Sequence, residues 1–158
     1  MLTSVRRMVG MPVIWQDRQV GCVERAVPDL RAGRLLGMAV RRGMGGARWT
    51  EADAVTVIGR GCVVLARRPV RMTGEMPWME NDVFLITGEP AGSVMDVLIN
   101  ARTLRVEALE ISYGPLHHLL GNRAYTCSYT MGGSGVIAAE LLTWAQLRSQ
   151  MKEGERIT

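Results

Sequence analysis

The chain has 158 residues, a formal net charge of +4, and a composition that is 47% hydrophobic and 22% charged. This length fits one ordinary domain or two small ones, and the composition is that of a folded globular protein, which excludes a disordered chain. No run of ~18 apolar residues is present, so we expect no membrane span, and the first residues lack the apolar segment of a secretion signal.

Charge is distributed unevenly along the chain. Residues 1–74 hold thirteen arginines and five acidic residues, whereas residues 75–158 hold six basic and ten acidic residues. Such asymmetry indicates binding to partners of opposite charge, but it says little about the fold.

The three cysteines, Cys22, Cys62 and Cys127, are far apart and form no CxxC pair. An odd number of separated cysteines is typical of buried thiols in a reducing compartment. The sequence therefore predicts a cytoplasmic protein without disulfide bonds.

The first half reads as a series of short strands. Residues 11–16 form a candidate opening strand, and residues 21–27 and 35–40 form a candidate β-hairpin because turn formers lie between two runs with apolar residues at even spacing. A second hairpin is predicted from residues 54–58 and 62–65 around a glycine-rich turn. Five or so strands of this length can close into a small barrel, which removes exposed strand edges.

The second half repeats the first. A shift of 71 residues superimposes the two segments without a gap, and the identical positions are Gly21 with Gly92, Val23 with Val94, Arg31 with Arg102, Arg34 with Arg105, and Gly43 with Gly114. A duplication explains this agreement best. The corresponding strands are predicted at residues 83–87, 92–98, 106–111, 125–130 and 136–142. Thr143 and Gln146 then form a candidate capping box that opens a short helix, residues 144–152, before a frayed tail.

Each copy has the order Gly-x-Val, a turn at Asp29 or Asn100, a pair of arginines, and an apolar strand that ends at Gly43 or Gly114. This order resembles the PRC-barrel family, which includes the cytoplasmic part of the photosynthetic reaction-centre H subunit and the C-terminal half of a ribosome maturation factor. The second copy has no counterpart of Gly10-Met11-Pro12. The resemblance implies an all-β fold with two small PRC-barrel-like β-barrels in tandem and a short C-terminal helix.

The predicted division of the chain follows from the repeat. Residues 1–71 form a basic first domain, residues 72–80 a linker, residues 81–143 an acidic second domain, and residues 144–158 the C-terminal helix and tail. Family members include ribosome-associated and sporulation-linked proteins, so the resemblance also allows a link to either process.

No catalytic, cofactor-binding or metal site is evident in the sequence. His117 and His118 are adjacent, so their side chains point in different directions, and no cysteine or carboxylate is spaced to complete a zinc site. We expect them on a surface loop. The run from Gly132 to Gly135 lacks the Gly-Lys-Ser/Thr ending of a phosphate loop and is predicted to be a turn. We therefore predict a non-enzymatic protein without a cofactor.

Arginines are the strongest functional signal, because their planar fork suits phosphate and carboxylate groups. Three interpretations stay open: a solvated face, a docking surface for an acidic protein, which includes the second domain of another copy of the chain, and an RNA- or ribosome-binding surface with few aromatic residues. The expected function is a protein-interaction or assembly module, and the alternative is an RNA- or ribosome-associated factor. The candidate basic surface consists of Arg6, Arg7, Arg31, Arg34, Arg41, Arg42, Arg67 and Arg68.

Overall fold

The computed structural model describes residues 1–77, 82–112, 123–133 and 135–157. These residues fold mostly into short β-strands in two sheets, with one α-helix, α1 (Trp144–Ile157), near the C-terminus. The all-β prediction is confirmed. Within the described ranges, no helix has the length and apolar character needed to cross a membrane.

The first sheet contains seven strands in the order β6-β7-β2-β3-β4-β5-β8. All neighbours are antiparallel except β2 and β7, which run parallel, and a 3-10 turn (Ala52–Ala54) precedes β6. The strands are β2 (Pro12–Trp15), β3 (Arg18–Asp29), β4 (Arg34–Arg41), β5 (Arg48–Glu51), β6 (Val55–Ile58), β7 (Val63–Leu65) and β8 (Val70–Arg71).

The second sheet has the strand path β13-β14-β9-β10-β11-β12, and β1 (Leu2–Ser4) adds to the end of β10. Again only one pair, β9 with β14, is parallel. The strands are β9 (Asp82–Leu85), β10 (Pro90–Asn100), β11 (Val106–Ser112), β12 (Ala124–Thr126), β13 (Tyr129–Gly132) and β14 (Gly135–Ala138).

The two sheets share one strand order, which supports the duplication read from the sequence. In each sheet a long central hairpin is flanked by a short strand on one side, and on the other by an opening strand whose outer neighbour is parallel. Burial follows the same pattern in both central strands: residues 23–29 and 94–100 show one identical succession of buried and half-buried positions. Both sheets are open paths of ladders within the described residues.

The hairpin turns are also equivalent. The carboxylate of Asp29 accepts hydrogen bonds from the amides of Arg31 and Ala32, and the side-chain oxygen of Asn100 accepts the same pair from Arg102 and Thr103. Such side-chain turns fix the reversal locally, which is why the sequence reveals them.

Each turn ends in a left-handed residue, Gly33 at φ 68° and Leu104 at φ 63°. Glycine adopts this conformation without strain, whereas leucine does not. Leu104 is nevertheless only 7% exposed, so burial of its side chain offsets the backbone cost.

The tip of the first hairpin pairs with residues 104–106 in the first compact unit. The amide of Leu35 donates to the carbonyl of Leu104 at 2.8 Å, and the amide of Val106 donates to the carbonyl of Gly33 at 2.9 Å. Arg34 and Arg105, which occupy equivalent repeat positions, face each other in an antiparallel bridge.

By contacts, the chain divides into one compact unit of Met1–Met79 with Leu98–Glu107 and another of Glu80–Val97 with Ala108–Thr158. The tip of the second hairpin thus groups with the first unit because of the pairing just described. The predicted domain limits at 71, 80 and 143 remain a prediction.

Several predictions of detail are wrong. Residues 125–130 are not one strand: they divide between β12 and β13, which lie at opposite edges of the sheet. The strand predicted at 136–142 ends at Ala138. The sequence does not predict strands β1, β5 and β8, because each contains a single apolar residue and so shows no apolar period.

The C-terminal helix begins with the predicted capping box. The Thr143 hydroxyl accepts a hydrogen bond from the Gln146 amide at 3.2 Å, and the Gln146 side chain accepts one from the Thr143 amide at 2.9 Å. These reciprocal bonds satisfy backbone donors that a helix start leaves unpaired. The helix extends to Ile157 rather than ending at Lys152.

Candidate anion-binding cleft

The predicted basic residues are spread over separate parts of the first unit. Arg6 and Arg7 lie exposed in the turn after β1, and Arg31 and Arg34 lie at the tip of the first hairpin. Arg41 and Arg42 lie where β4 ends, and Arg67 and Arg68 follow β7. The eight residues thus come from four segments of the first unit.

One small cleft in the first unit brings part of this set together. It has a volume of about 210 Å³, and Arg42, Arg48 and Arg68 are its charged residues. No acidic residue is among its lining residues, which also include Val20, Val40, Gly45, Gly46 and Pro69. We name it the arginine cleft.

The floor of the arginine cleft is apolar and rigid. Val40 on the central strand β4 is 1% exposed, and Pro69 is buried. Strand pairing places Arg48 of β5 directly opposite Val40, so the guanidinium-bearing strand is held by a hydrogen-bonded ladder to the core. A charged side chain on a fixed strand is positioned more accurately than one on a free loop.

Arg48 has a second neighbour of the same charge. On its other side, β8 places Arg71 directly opposite it. Like charges that face each other across an antiparallel pair destabilise the sheet. No carboxylate pairs with Arg42, Arg48, Arg68 or Arg71 in the described part of the chain. The arrangement therefore has an unbalanced positive charge that an anion would relieve.

Arg41, which the sequence placed in the basic surface, has a different part in the structure. Its guanidinium binds the Glu24 carboxylate at 2.6 and 2.9 Å and donates to the carbonyl of Gly45 at 2.9 Å. It thus holds the loop that carries Gly45 and Gly46 beside the cleft. Arg41 positions the cleft wall, and its charge is neutralised by Glu24.

The remaining two predicted residues near the cleft also differ from each other. Arg67 forms an ion pair with Asp53. Arg68 lies over the Trp15 ring, with its guanidinium carbon 6.0 Å from the ring centroid, at the outer limit of a cation–π contact. No carboxylate pairs with Arg68 among the described residues, in contrast to Arg67.

Arg48 lines the cleft, although the predicted set omits it. Its strand, β5, contains a single apolar residue, so no sequence pattern places Arg48 beside Arg42 and Arg68. A signal was present in the sequence: Arg48 belongs to the same acid-poor arginine-rich stretch. Only the pairing of β5 between β4 and β8 shows that it faces the cleft.

The second copy has a different residue at the position equivalent to Arg48. Register places Ala124 of β12 where the first copy has Arg48, because Ile111 and Val40 are equivalent and pair with them. The histidine prediction lies outside the described residues. Among the residues described, no group of three or more His, Cys, Asp or Glu side chains could hold a metal ion.

Two groups in the second unit have shifted acidity. Burial raises the pKa of the Tyr125 hydroxyl, and the nearby Glu110 carboxylate adds to the effect. Burial also raises the pKa of the Cys127 thiol, with a further contribution from Glu140. A raised pKa keeps the thiol protonated and makes Cys127 a poor nucleophile.

Comparison with models of known protein families gives no match, and no curated protein matches the chain.

Proposed function

We propose that this chain is a non-enzymatic interaction module of two PRC-barrel-like domains, and that its first domain docks an acidic segment of a partner protein at the arginine cleft. The observation that carries the proposal is the convergence of Arg42, Arg48 and Arg68 on one cleft without a carboxylate. Arginine forks bind carboxylates and phosphates through paired hydrogen bonds.

The size of the cleft favours a docking role over catalysis. At about 210 Å³ it is smaller than the ~300–1,000 Å³ typical of small-molecule sites. It has room for an anionic group presented by a larger molecule, but not for a complete cofactor or drug-sized substrate. No histidine, cysteine or carboxylate that could act as a base or nucleophile lines it.

The distribution of charge favours a protein partner over RNA. Arg41 and Arg67, the nearest chain neighbours of two cleft arginines, are neutralised by Glu24 and Asp53. Two arginines that could extend the cleft into a longer cationic track are thus neutralised, whereas single-stranded RNA binds along grooves that combine such a track with aromatic stacking surfaces. Arg68 lies over the Trp15 ring at 6.0 Å, and Trp49, the chain neighbour of Arg48, donates its indole N–H to the Glu51 carboxylate.

Fluorescence anisotropy with labelled polyglutamate and labelled oligouridylate tests this function on the full chain. We expect polyglutamate to bind more tightly than oligouridylate at equal ionic strength. Arg48→Ala should weaken polyglutamate binding, and Arg31→Ala, which removes the same charge at the hairpin tip, should leave it almost unchanged.

Two results would overturn the proposal. Tighter binding of oligouridylate, with a steep salt dependence, would favour the RNA-associated alternative. Equal losses from Arg48→Ala and Arg31→Ala would show that only net charge matters and that the cleft has no special part.

A further inference from the structure

The number of arginines in the arginine cleft indicates a more specific ligand than an acidic protein segment. A carboxylate has two oxygens in one plane and one negative charge, and a single guanidinium fork satisfies it. Three arginines, Arg42, Arg48 and Arg68, line the cleft. Three forks exceed what one carboxylate needs, but they suit a tetrahedral group with three peripheral oxygens.

The charge leads to the same ligand class. Three arginines without a carboxylate partner give the cleft a formal charge of +3, increased by Arg71 across the ladder from Arg48. A phosphate monoester carries about −1.5 to −2 charges at neutral pH and three acceptor oxygens. It would offset more of this charge than a carboxylate or a phosphodiester, each of which carries one.

The size and lining of the cleft also suit a single group. Its volume is about 210 Å³, below the ~300–1,000 Å³ of typical small-molecule sites. The apolar floor of Val20, Val40 and Pro69 offers no hydrogen bonds to a sugar or base, but it can contact the methylene that carries a phosphate on a side chain.

We propose that the arginine cleft binds the phosphate monoester of a phosphorylated serine or threonine on the partner protein, an inference that rests on the proposed docking function. Recognition of phosphorylated side chains by clustered arginines is a general mode of peptide binding. Arg42, Arg48 and Arg68 would contact the phosphate, and Arg41 is a positioning residue that holds the Gly45–Gly46 loop through the Gly45 carbonyl.

The test uses the ¹⁵N-labelled full chain and three matched probes: blocked phosphoserine, blocked glutamate and dimethyl phosphate. Their titrations are followed by the amide resonances of Gly45 and Gly46. We expect saturable shifts with blocked phosphoserine, which should bind about tenfold more tightly than either monoanionic probe, a difference of about 1.4 kcal/mol. Arg48→Ala should abolish the preference, and Arg31→Ala should retain it.

The outcomes separate this inference from the proposed function. If all three probes bind with equal affinity while polyglutamate still depends on Arg48, the phosphate inference fails and the docking function stands. If neither phosphoserine nor polyglutamate binding depends on Arg48, both fail. If dimethyl phosphate binds as tightly as phosphoserine and oligouridylate binds more tightly than polyglutamate, the site recognises a nucleic-acid backbone and the phosphoprotein inference fails.

Arg41→Lys and Arg41→Ala test the positioning role separately. Lysine keeps the charge near Glu24 but cannot span both the carboxylate and the Gly45 carbonyl with a rigid fork. We expect both variants to lose the preference for phosphoserine over glutamate. Retention of the preference in Arg41→Ala, with an unchanged thermal midpoint, would contradict the assigned role of Arg41.

Discussion

The two copies have the same strand order, the same side-chain turns and the same burial along their central strands, but they differ in the side chains at their edges. Where the first copy has Trp49 and Arg48 on β5, the second has Tyr125 and Ala124 on β12. A duplicated fold thus preserves its core and turns while its edges diverge. Differences between equivalent residues therefore indicate function or local packing better than the shared residues do.

The largest difference in stability should come from Gly37 and its equivalent Ala108. A Cβ at Gly37 would lie 2.5 Å from Cζ2 of Trp49 and would clash with the Thr50 carbonyl, whereas Ala108 already has its Cβ in a fully buried position. Gly37→Ala should destabilise by about 1–3 kcal/mol through overpacking, and Ala108→Gly by about 0.5–1 kcal/mol. Urea denaturation measures both. A smaller loss for Gly37→Ala than for Ala108→Gly would contradict the placement of Trp49.

A buried threonine distinguishes the copies next. Thr126 donates its hydroxyl to the Ser128 carbonyl at 3.0 Å, but the hydroxyl of Thr50, at the equivalent place opposite Met38, has no hydrogen-bond partner. Thr126→Val should cost about 0.5–1.5 kcal/mol, and Thr50→Val should be neutral or stabilising because it removes an unsatisfied group. The thermal midpoints of the two variants test this prediction. Equal decreases in the midpoint would contradict the difference in hydrogen bonding between Thr126 and Thr50.

The smallest expected difference is in alkaline stability. The pKa of Tyr125 is raised in the folded protein, mainly by burial, so the folded state holds this proton more tightly than the unfolded state. Its contribution to stability is fully present below the unfolded pKa of 10.0 and is lost as pH rises through the higher folded value. Tyr125→Phe should flatten this decline in unfolding free energy above pH 10, measured by urea midpoints. If the unfolding free energy of Tyr125→Phe fell as steeply above pH 10 as that of the original chain, the decline would come from another titrating group.

The sequence predicted those parts of the fold that are determined by residues close together in the chain. The central hairpins were found because Asp29 and Asn100 make their turns with residues two and three positions away. A single shift of 71 residues could not align β5 with β12, because more residues separate Thr126 from its central hairpin than separate Thr50 from its own.

The site was harder to predict for a related reason. The carboxylates that neutralise Arg41 and Arg67 are 17 and 14 residues away along the chain. From the sequence alone, arginines that form ion pairs could not be distinguished from arginines that do not. Arg48 could be assigned to the cleft only from the structure, in which β5 pairs with both β4 and β8.

The most direct test of the account is a residue-resolved map of where an anionic chain binds. Unlabelled polyglutamate added to the ¹⁵N-labelled full chain should shift the amides of Val20, Val40 and Gly45 in the first copy, while Ala124 at the equivalent edge of the second copy stays unchanged. Shifts of similar size around Ala124, or shifts centred on Arg31 at the hairpin tip, would contradict the claim that the anionic chain binds at the arginine cleft of the first copy.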